Sequence, residues 1–292
     1  KRIDLAISYA KKQGKNCTIN YNETIGRILS RQIELERLMH KDITNGFAHF
    51  TAYYQPIFSS SEKKLVGCEA LMRWNPPEFG QVSPAEFIPM AERLGYINLL
   101  GENIIRIAGR QCKKWADAGL DLRMNINLSV GQIIEPDFLD KIDTLFDETG
   151  APPDKICFEV TESLAIHDME KMKELLKHIT DKGVKIALDD FGTGYSSLNC
   201  IKEMPLNTIK IDKSFIDDIV KNTDTTVFVK MIVNLSHDLH IAVCAEGVEE
   251  QVQFDILRDL ETDVIQGYYF GRPMPSDKFE EKFLSEKLQS VK

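Results

Sequence analysis

The sequence holds no apolar run approaching the roughly twenty residues that a membrane-spanning helix needs. It lacks a convincing secretory leader as well. The opening KRIDLAISYAKKQGK starts basic, but Asp4 interrupts an already short apolar stretch. No Met stands at its start; it begins at Lys1, and the chain is expected to be a piece of a longer protein. No C-x-x-C pair occurs among Cys17, Cys68, Cys112, Cys157, Cys200 and Cys244. Most of these sit in apolar runs and are expected to be reduced core thiols of a cytosolic protein. Basic charge is scarce: 36 Lys and Arg stand against 45 Asp and Glu, a formal net charge of −9. That deficit excludes a protein living on a nucleic-acid polymer, and it disfavours a polybasic membrane-surface module. The expectation is a cytoplasmic fragment without membrane contact, any anchor belonging to missing upstream domains.

What is present is a hydrophobic fraction of 43% in 292 residues, enough to bury a sizeable core. From about residue 50 onward, short β-rich runs alternate with helical patterns. The runs are TAYYQPIF (51–58), LVGCEALMRW (65–74), LRMNINLS (122–129), ICFEVTES (156–163), KIALDDF (185–191), TIKIDKSF (208–215), IAVCAEGV (241–248) and VIQGYYF (264–270). Between them lie amphipathic stretches such as ENIIRIAGRQCKKWADAG and MEKMKELLKHITDKG. In the second, Met169, Met172, Leu175, Leu176 and Ile179 recur at helical spacing before Gly183. Eight strands alternating with helices predict an α/β fold, a (β/α)8 TIM-type barrel. Only SSSEKK separates the first two runs, too short for a crossover helix, so the first strand should be antiparallel. A doubly wound open sheet is the alternative. Ahead of the barrel, ISYAKKQGKN reads as a helix, CTINYN as a short strand, and NETIGRILSRQIELERLMHKDI as a long helix capped by Asn22. Ile25, Ile28, Leu29, Ile33 and Leu38 form its apolar stripe, expected to pack on a neighbour or a partner subunit.

Polar residues interrupt the apolar strands near their C-terminal ends. They are Glu69, Asn127, Glu159, the pair Asp189 and Asp190, Lys210, Glu246 and Gln266. Barrel enzymes carry catalytic groups at that rim, and an unpaired buried charge is costly, so seven strands sharing the habit point to a site. Glu, Asp and Asn oxygens suit hard divalent cations such as Mg2+ or Mn2+. Histidine is absent from these strand ends, which argues against a His-rich zinc centre. His237 and His240 form an H-x-x-H pair on a predicted helix and read as surface or core residues. Adjacent Asp189 and Asp190 can bridge or divide between two ions, as a two-metal phosphoryl site requires. Lys210 either orients an attacking water, meets developing phosphate charge, or pairs with the carboxylates for structure alone. The glycine-rich FGTGYSS after the fifth strand reads as a rim loop, which Thr161 and Glu162 are placed to brace.

The motifs YYQPI, EALMRW, SPAEFIPMAERLGYI, NINLS, FEVTES, DDFGTGYSSL, IKIDKSFI, AEGVE and QGYYFGRPMP resemble, in order, those of the EAL-domain phosphodiesterases. These hydrolyse the bacterial second messenger cyclic di-GMP to linear pGpG. The resemblance implies metal ligands at Glu69, Asn127, Glu159, Asp189, Asp190 and Glu246, with two Mg2+ or Mn2+ per site and Ca2+ inhibitory. It implies catalytic roles for Glu69, Lys210, Glu246 and Glu162, the last holding the glycine-rich loop and coupling it to dimerisation. Gln55, Leu71, Arg73 and Gln266 match substrate-binding positions. Residues 1–22 resemble the end of a GGDEF domain and 23–47 the linker helix, leaving 48–288 as the phosphodiesterase barrel; no cyclase signature is present. The resemblance implies cyclic di-GMP as the ligand and a homodimer as the assembly. A catalytically silent cyclic di-GMP receptor and a hydrolase of another phosphodiester are the alternatives.

Overall fold

Strand alternation sets the architecture. In a computed structural model of the chain, which describes residues 22–161, 169–192 and 198–285, eight strands close into a barrel in chain order. They are β1 (Phe50–Ser59), β2 (Leu65–Trp74), β3 (Arg123–Asn127), β4 (Ile156–Thr161), β5 (Lys185–Phe191), β6 (Thr208–Ile211), β7 (Ala242–Ala245) and β8 (Val264–Gln266). Neighbours from β2 to β8 run parallel, and β1 closes the barrel antiparallel to β8. The reversal follows from the short link after β1. Ser59 N donates to Lys64 O at 2.9 Å, and Lys63 N to Ser59 O at 3.1 Å, a tight turn with no room for a helix. A mixed closed barrel, and not an open sheet, is therefore the fold.

Alternation also divides each strand into two faces. Met124, Ile126, Phe158, Val160, Ile186, Leu188, Ile209, Val243 and Ile265 are buried in one core with apolar residues of the outer helices. These helices include Ile97–Asp117, Phe138–Thr149, Met169–Asp181, Thr223–Asp238 and Gln251–Asp259. The residues of opposite parity, among them Asn125, Cys157, Glu159, Asp189, Lys210 and Cys244, turn into the barrel. In the third of these helices Met172, Leu176 and Ile179 are buried as their spacing predicts, and Gly183 follows at φ 96°. Cys68, Cys112, Cys157 and Cys244 are free and buried; Cys17 and the Cys200 side chain lie outside the described residues.

Several strands are shorter than their β-rich runs. TIKIDKSF stops as a strand at Ile211, because the Asp212 carboxylate accepts from Ser214 N at 3.0 Å and starts the helix Lys213–Asp218. Likewise β8 ends at Gln266, before GYYF. His237 is half-buried and His240 exposed, and His237 Nε2 pairs with Asp263 Oδ2 at 2.9 Å, an oxygen that also accepts from Val243 N at 2.7 Å. His240 takes a turn at φ 59°.

The described residues fall into two compact units, one joining the chain up to Phe50 with Trp74–Leu94, the other joining Thr51–Arg73 with the chain from Gly95. In the first, the helix Glu23–Thr44 is capped as expected, Asn22 Oδ1 accepting from Ile25 N at 2.8 Å. Its buried face differs from the predicted stripe. Ile28 and Ile33 are 48% and 54% exposed, whereas Leu29, Leu35, Leu38, Met39 and Ile43 are buried. The buried set steps by three and four residues from Leu35, so it, and not the row containing Ile33, forms one helical face. That face includes a carboxylate, Asp42, which accepts from Trp74 Nε1 at 2.8 Å and pairs with His49 Nδ1 at 2.8 Å. Trp74 stacks on Phe50, ring centroids 5.5 Å apart. The second unit carries the barrel. Its C-terminal turn is held by Glu280, which accepts from Lys114 Nζ (2.7 Å), Trp115 Nε1 (2.9 Å) and Gln111 Nε2 (3.0 Å). The proposed GGDEF-like remnant at 1–22 lies, but for Asn22, outside the described residues.

Candidate active site

Parallel strands all aim their C-terminal ends at one rim, so inward residues at those ends converge without further instruction. Lys210 on β6 stands at the centre, its side chain 1% exposed. Its Nζ lies 2.6 Å from Glu246 Oε1, 2.8 Å from Glu159 Oε2, 3.1 Å from Asp189 Oδ1 and 3.8 Å from Glu69 Oε2. Glu69 is tied from two sides, accepting from Asn127 Nδ2 and Gln266 Nε2, each at 2.6 Å. Glu159 Oε1 accepts from Asn125 Nδ2 at 2.7 Å.

Asp190 needs a special backbone to join this group, since in a regular strand it would face away from Asp189. The β5–β6 register slips between Leu188 and Phe191, and Asp190 takes φ 55°. This bulge turns consecutive carboxylates to the same rim. Carboxylate oxygens of Asp189, Asp190 and Glu246 consequently lie within 4.8 Å of one another.

The electrostatics follow from crowding acids out of water. Burial first, then the Glu69 charge, pushes the Glu159 carboxyl well above the usual range. Burial likewise pushes Glu246 up to about 7, against the opposing pull of Lys210. Glu69 is buried too, yet Lys210 and the donors Gln266 and Asn127 hold it below the ordinary value. Burial acts to lower the Lys210 pKa, but Glu159, Glu246, Glu69 and Asp189 together raise it.

The donor set fits hard divalent cations. Every convergent side-chain group besides Lys210 offers oxygen. Among the described residues, Gln266 Oε1 is buried without a hydrogen-bond partner, and Glu159 Oε2 and Asp189 Oδ1 are buried with the shared Lys210 ammonium as their ion-pair partner. One ammonium shared among four carboxylates leaves negative charge in excess, which a cation would offset.

Beside the cluster opens a cavity of about 250 Å3. Gln55, Glu69, Leu71, Asp189, Lys210, Glu246 and Gln266 line it, and so do Lys213, Glu249 and Tyr268, which sequence reasoning passed over. Lys213 Nζ pairs with Glu249 at 2.8 Å and Asp217 at 3.0 Å. Two glycines shape this wall. A Cβ on Gly247, at φ 68°, would fall 2.3 Å from Lys213 Cγ, and one on Gly267 would fall 2.0 Å from Val248 O. Arg73 stands apart from the lining: it is half-buried, with its guanidinium 5.4 Å from the Tyr53 ring centroid and a bond to Met72 O. Asn127 is exposed at the end of β3. Glu162 and most of the glycine-rich loop lie outside the described residues. Asn125 and Tyr268 carried no sequence signal of their own beyond a place two residues from a rim residue.

The chain matches the EAL domain over residues 37–273. It belongs to the EAL domain family. Similar proteins include the signaling protein YkoW of Bacillus subtilis (strain 168), 36% identical over 99% of this chain and 36% of its own length. Another is the bifunctional diguanylate cyclase/cyclic di-GMP phosphodiesterase MucR of Pseudomonas aeruginosa, 33% identical over 94% of this chain and 40% of its own length. The chain thus spans well under half of these relatives. Among solved structures, the PaMucR phosphodiesterase in complex with c-di-GMP superposes with a TM-score of 0.79 at 34% identity, covering 83% of this chain and 99% of that one. In the EAL domain described here, the rim cluster sits on the barrel strands β2 to β6 and β8 and on the turn just after β7. No helix of the described residues is long and apolar enough to cross a membrane.

Proposed function

We propose that this EAL domain, over about residues 48–288, hydrolyses cyclic di-GMP to linear pGpG. The observation that carries the reading is the grouping of Asp189, Asp190 and Glu246 oxygens within 4.8 Å, beside a buried lysine, in a member of this family. Glu69, Asn127, Glu159, Asp189, Asp190 and Glu246 would hold two Mg2+ or Mn2+ ions. When bound, such ions lower the pKa of water and neutralise phosphoryl oxygens. The reaction adds water across one phosphodiester: a water oxygen bonds to phosphorus, the bond to the 3′ oxygen breaks, and that oxygen takes a proton. Lys210 keeps its proton among four carboxylates and presents it where the attacking water is held. Gln266 and Asn127 fix Glu69 through both oxygens, so its position costs little reorganisation during the reaction. Gln55 and Leu71 line the cavity that takes the nucleotide, and Arg73 meets phosphate or guanine. Glu162 would take the role that the family resemblance implies for it, holding the glycine-rich loop and coupling it to a homodimer. Calcium, larger and more loosely coordinated, occupies oxygen sites without supporting turnover.

The test is an assay for pGpG with Mg2+ or Mn2+, alongside Glu69→Ala. The wild type should turn over cyclic di-GMP in preference to linear dinucleotides and cyclic mononucleotides. Glu69→Ala should lose metal-supported hydrolysis and keep its fold. Tight binding of the cyclic dinucleotide with no turnover under either metal would show a receptor instead. Near-normal turnover by Glu69→Ala would overturn the metal assignment.

A further inference from the structure

Asn125 is a polar residue inside the barrel for which the proposed reaction has no task. It lies on β3 with its Cα paired to Glu69 on β2 and to Cys157 on β4. Two residues before Asn127, it shares the inward parity of that residue but sits one layer deeper, only 7% exposed. Its Nδ2 donates to Glu159 Oε1 at 2.7 Å, and its own Oδ1 is buried without a hydrogen-bond partner among the described residues. Burying an amide with half its capacity unmet is unfavourable, and an apolar residue would avoid that cost. The contact it does make is therefore the informative one.

Glu159 is the most enclosed carboxylate of the cluster, its side chain recorded at 0% exposure. Its two oxygens are not equivalent. Oε1 faces down to the Asn125 amide, whereas Oε2 faces its ion-pair partner, Lys210 Nζ, at 2.8 Å. Reversing the Asn125 amide would set oxygen against oxygen, so the carboxylate fixes the amide as firmly as the amide fixes the carboxylate. A neutral donor on one oxygen stops the carboxylate from turning both oxygens toward the cluster. We propose that Asn125 is a positioning residue that holds Glu159 as a one-oxygen ligand and thereby sets the divalent-cation affinity of the site. This rests on the reading of the cluster as a metal site. Partners behind a ligand commonly change metal affinity about 10- to 100-fold when removed, which is the size expected here.

The measurement is Mn2+ titration of the whole chain without substrate, followed by electron paramagnetic resonance or calorimetry. It would compare wild type, Asn125→Ala, Glu159→Gln and the double variant, with thermal melts recorded in chelator. Asn125→Ala should weaken Mn2+ binding about 10- to 100-fold, while in the Glu159→Gln background the same change should weaken it no further. Wild-type Mn2+ affinity in Asn125→Ala would overturn the inference. So would an equal loss in both backgrounds, which marks a merely structural residue. A wild type that takes up no Mn2+ would sink the metal reading first, and this inference with it. Should Asn125→Ala fail to fold, Asn125→Ser, whose hydroxyl is too short to reach Glu159, carries the same comparison.

Discussion

Lys210 Nζ and Glu246 Oε1 stand 2.6 Å apart inside a barrel that leaves the lysine side chain 1% exposed. Three further carboxylates lie within 4 Å of the same ammonium. An ion placed so deeply is stabilised only by its partners, and each partner depends on it in turn.

Replacing Lys210 with Met should accordingly damage folding as well as activity. With chelator present, Lys210→Met should unfold with about 3–5 kcal/mol less stability, the usual cost of breaking a buried charge group. Mn2+ should restore part of that loss, because a cation replaces the missing positive charge. Melting curves with and without Mn2+ check both halves; an unchanged melt in chelator would contradict the dependence.

Asp190 offers a prediction in which stability and activity part company. Its φ of 55° suits glycine better than alanine. Asp190→Ala should be about 1 kcal/mol less stable than Asp190→Gly. Both should lose metal-supported hydrolysis, since both remove the carboxylate. Urea titrations of the pair, run beside the pGpG assay, read the two effects separately.

The C-terminal latch gives a pH dependence away from the cluster. Glu280 is partly desolvated, which favours its neutral form, yet bonds from Lys114 and Trp115 hold its carboxyl below the ordinary 4.5. A carboxyl depressed in the fold stabilises it fully above that ordinary value and loses its contribution as the pH falls through the folded one. Glu280→Gln should therefore lower the melting temperature at pH 7 by a few degrees, about 1 kcal/mol. The difference from wild type should shrink toward zero as the pH drops below 4. A constant gap across that range would assign the effect to packing.

In the unit formed by the N-terminal helix and Trp74–Leu94, Asp42 is a buried acceptor serving Trp74 and His49. Asp42→Leu leaves the Trp74 Nε1 donor without a partner and should cost about 1–3 kcal/mol. Asp42→Asn keeps an acceptor in place and should cost less. Chemical denaturation that ranks the two variants in the reverse order would place the charge, and not the hydrogen bond, at the root of the effect.

Some of this was legible in the residues alone because its physical cause is local. The β-rich runs KIALDDF and LVGCEALMRW mark strands whose bounds match the observed β5 and β2. The short link after β1 is enough to reverse it, since chain length is a property of sequence. Polar residues at strand ends are visible as interruptions, so Glu69, Glu159, Lys210 and Glu246 stand out singly. What the sequence could not determine is anything set by pairing across the barrel. The bulge that turns Asp190 beside Asp189 exists only relative to β6. Asn125 looks like any polar residue in a strand until Glu159, 34 positions later, is found against its amide. The exposed Ile28 and Ile33 make the same point, because which helical face is buried depends on what packs against it. One-dimensional patterning determined the elements and the candidate acids; only closure of the barrel decided that four of them would share one lysine.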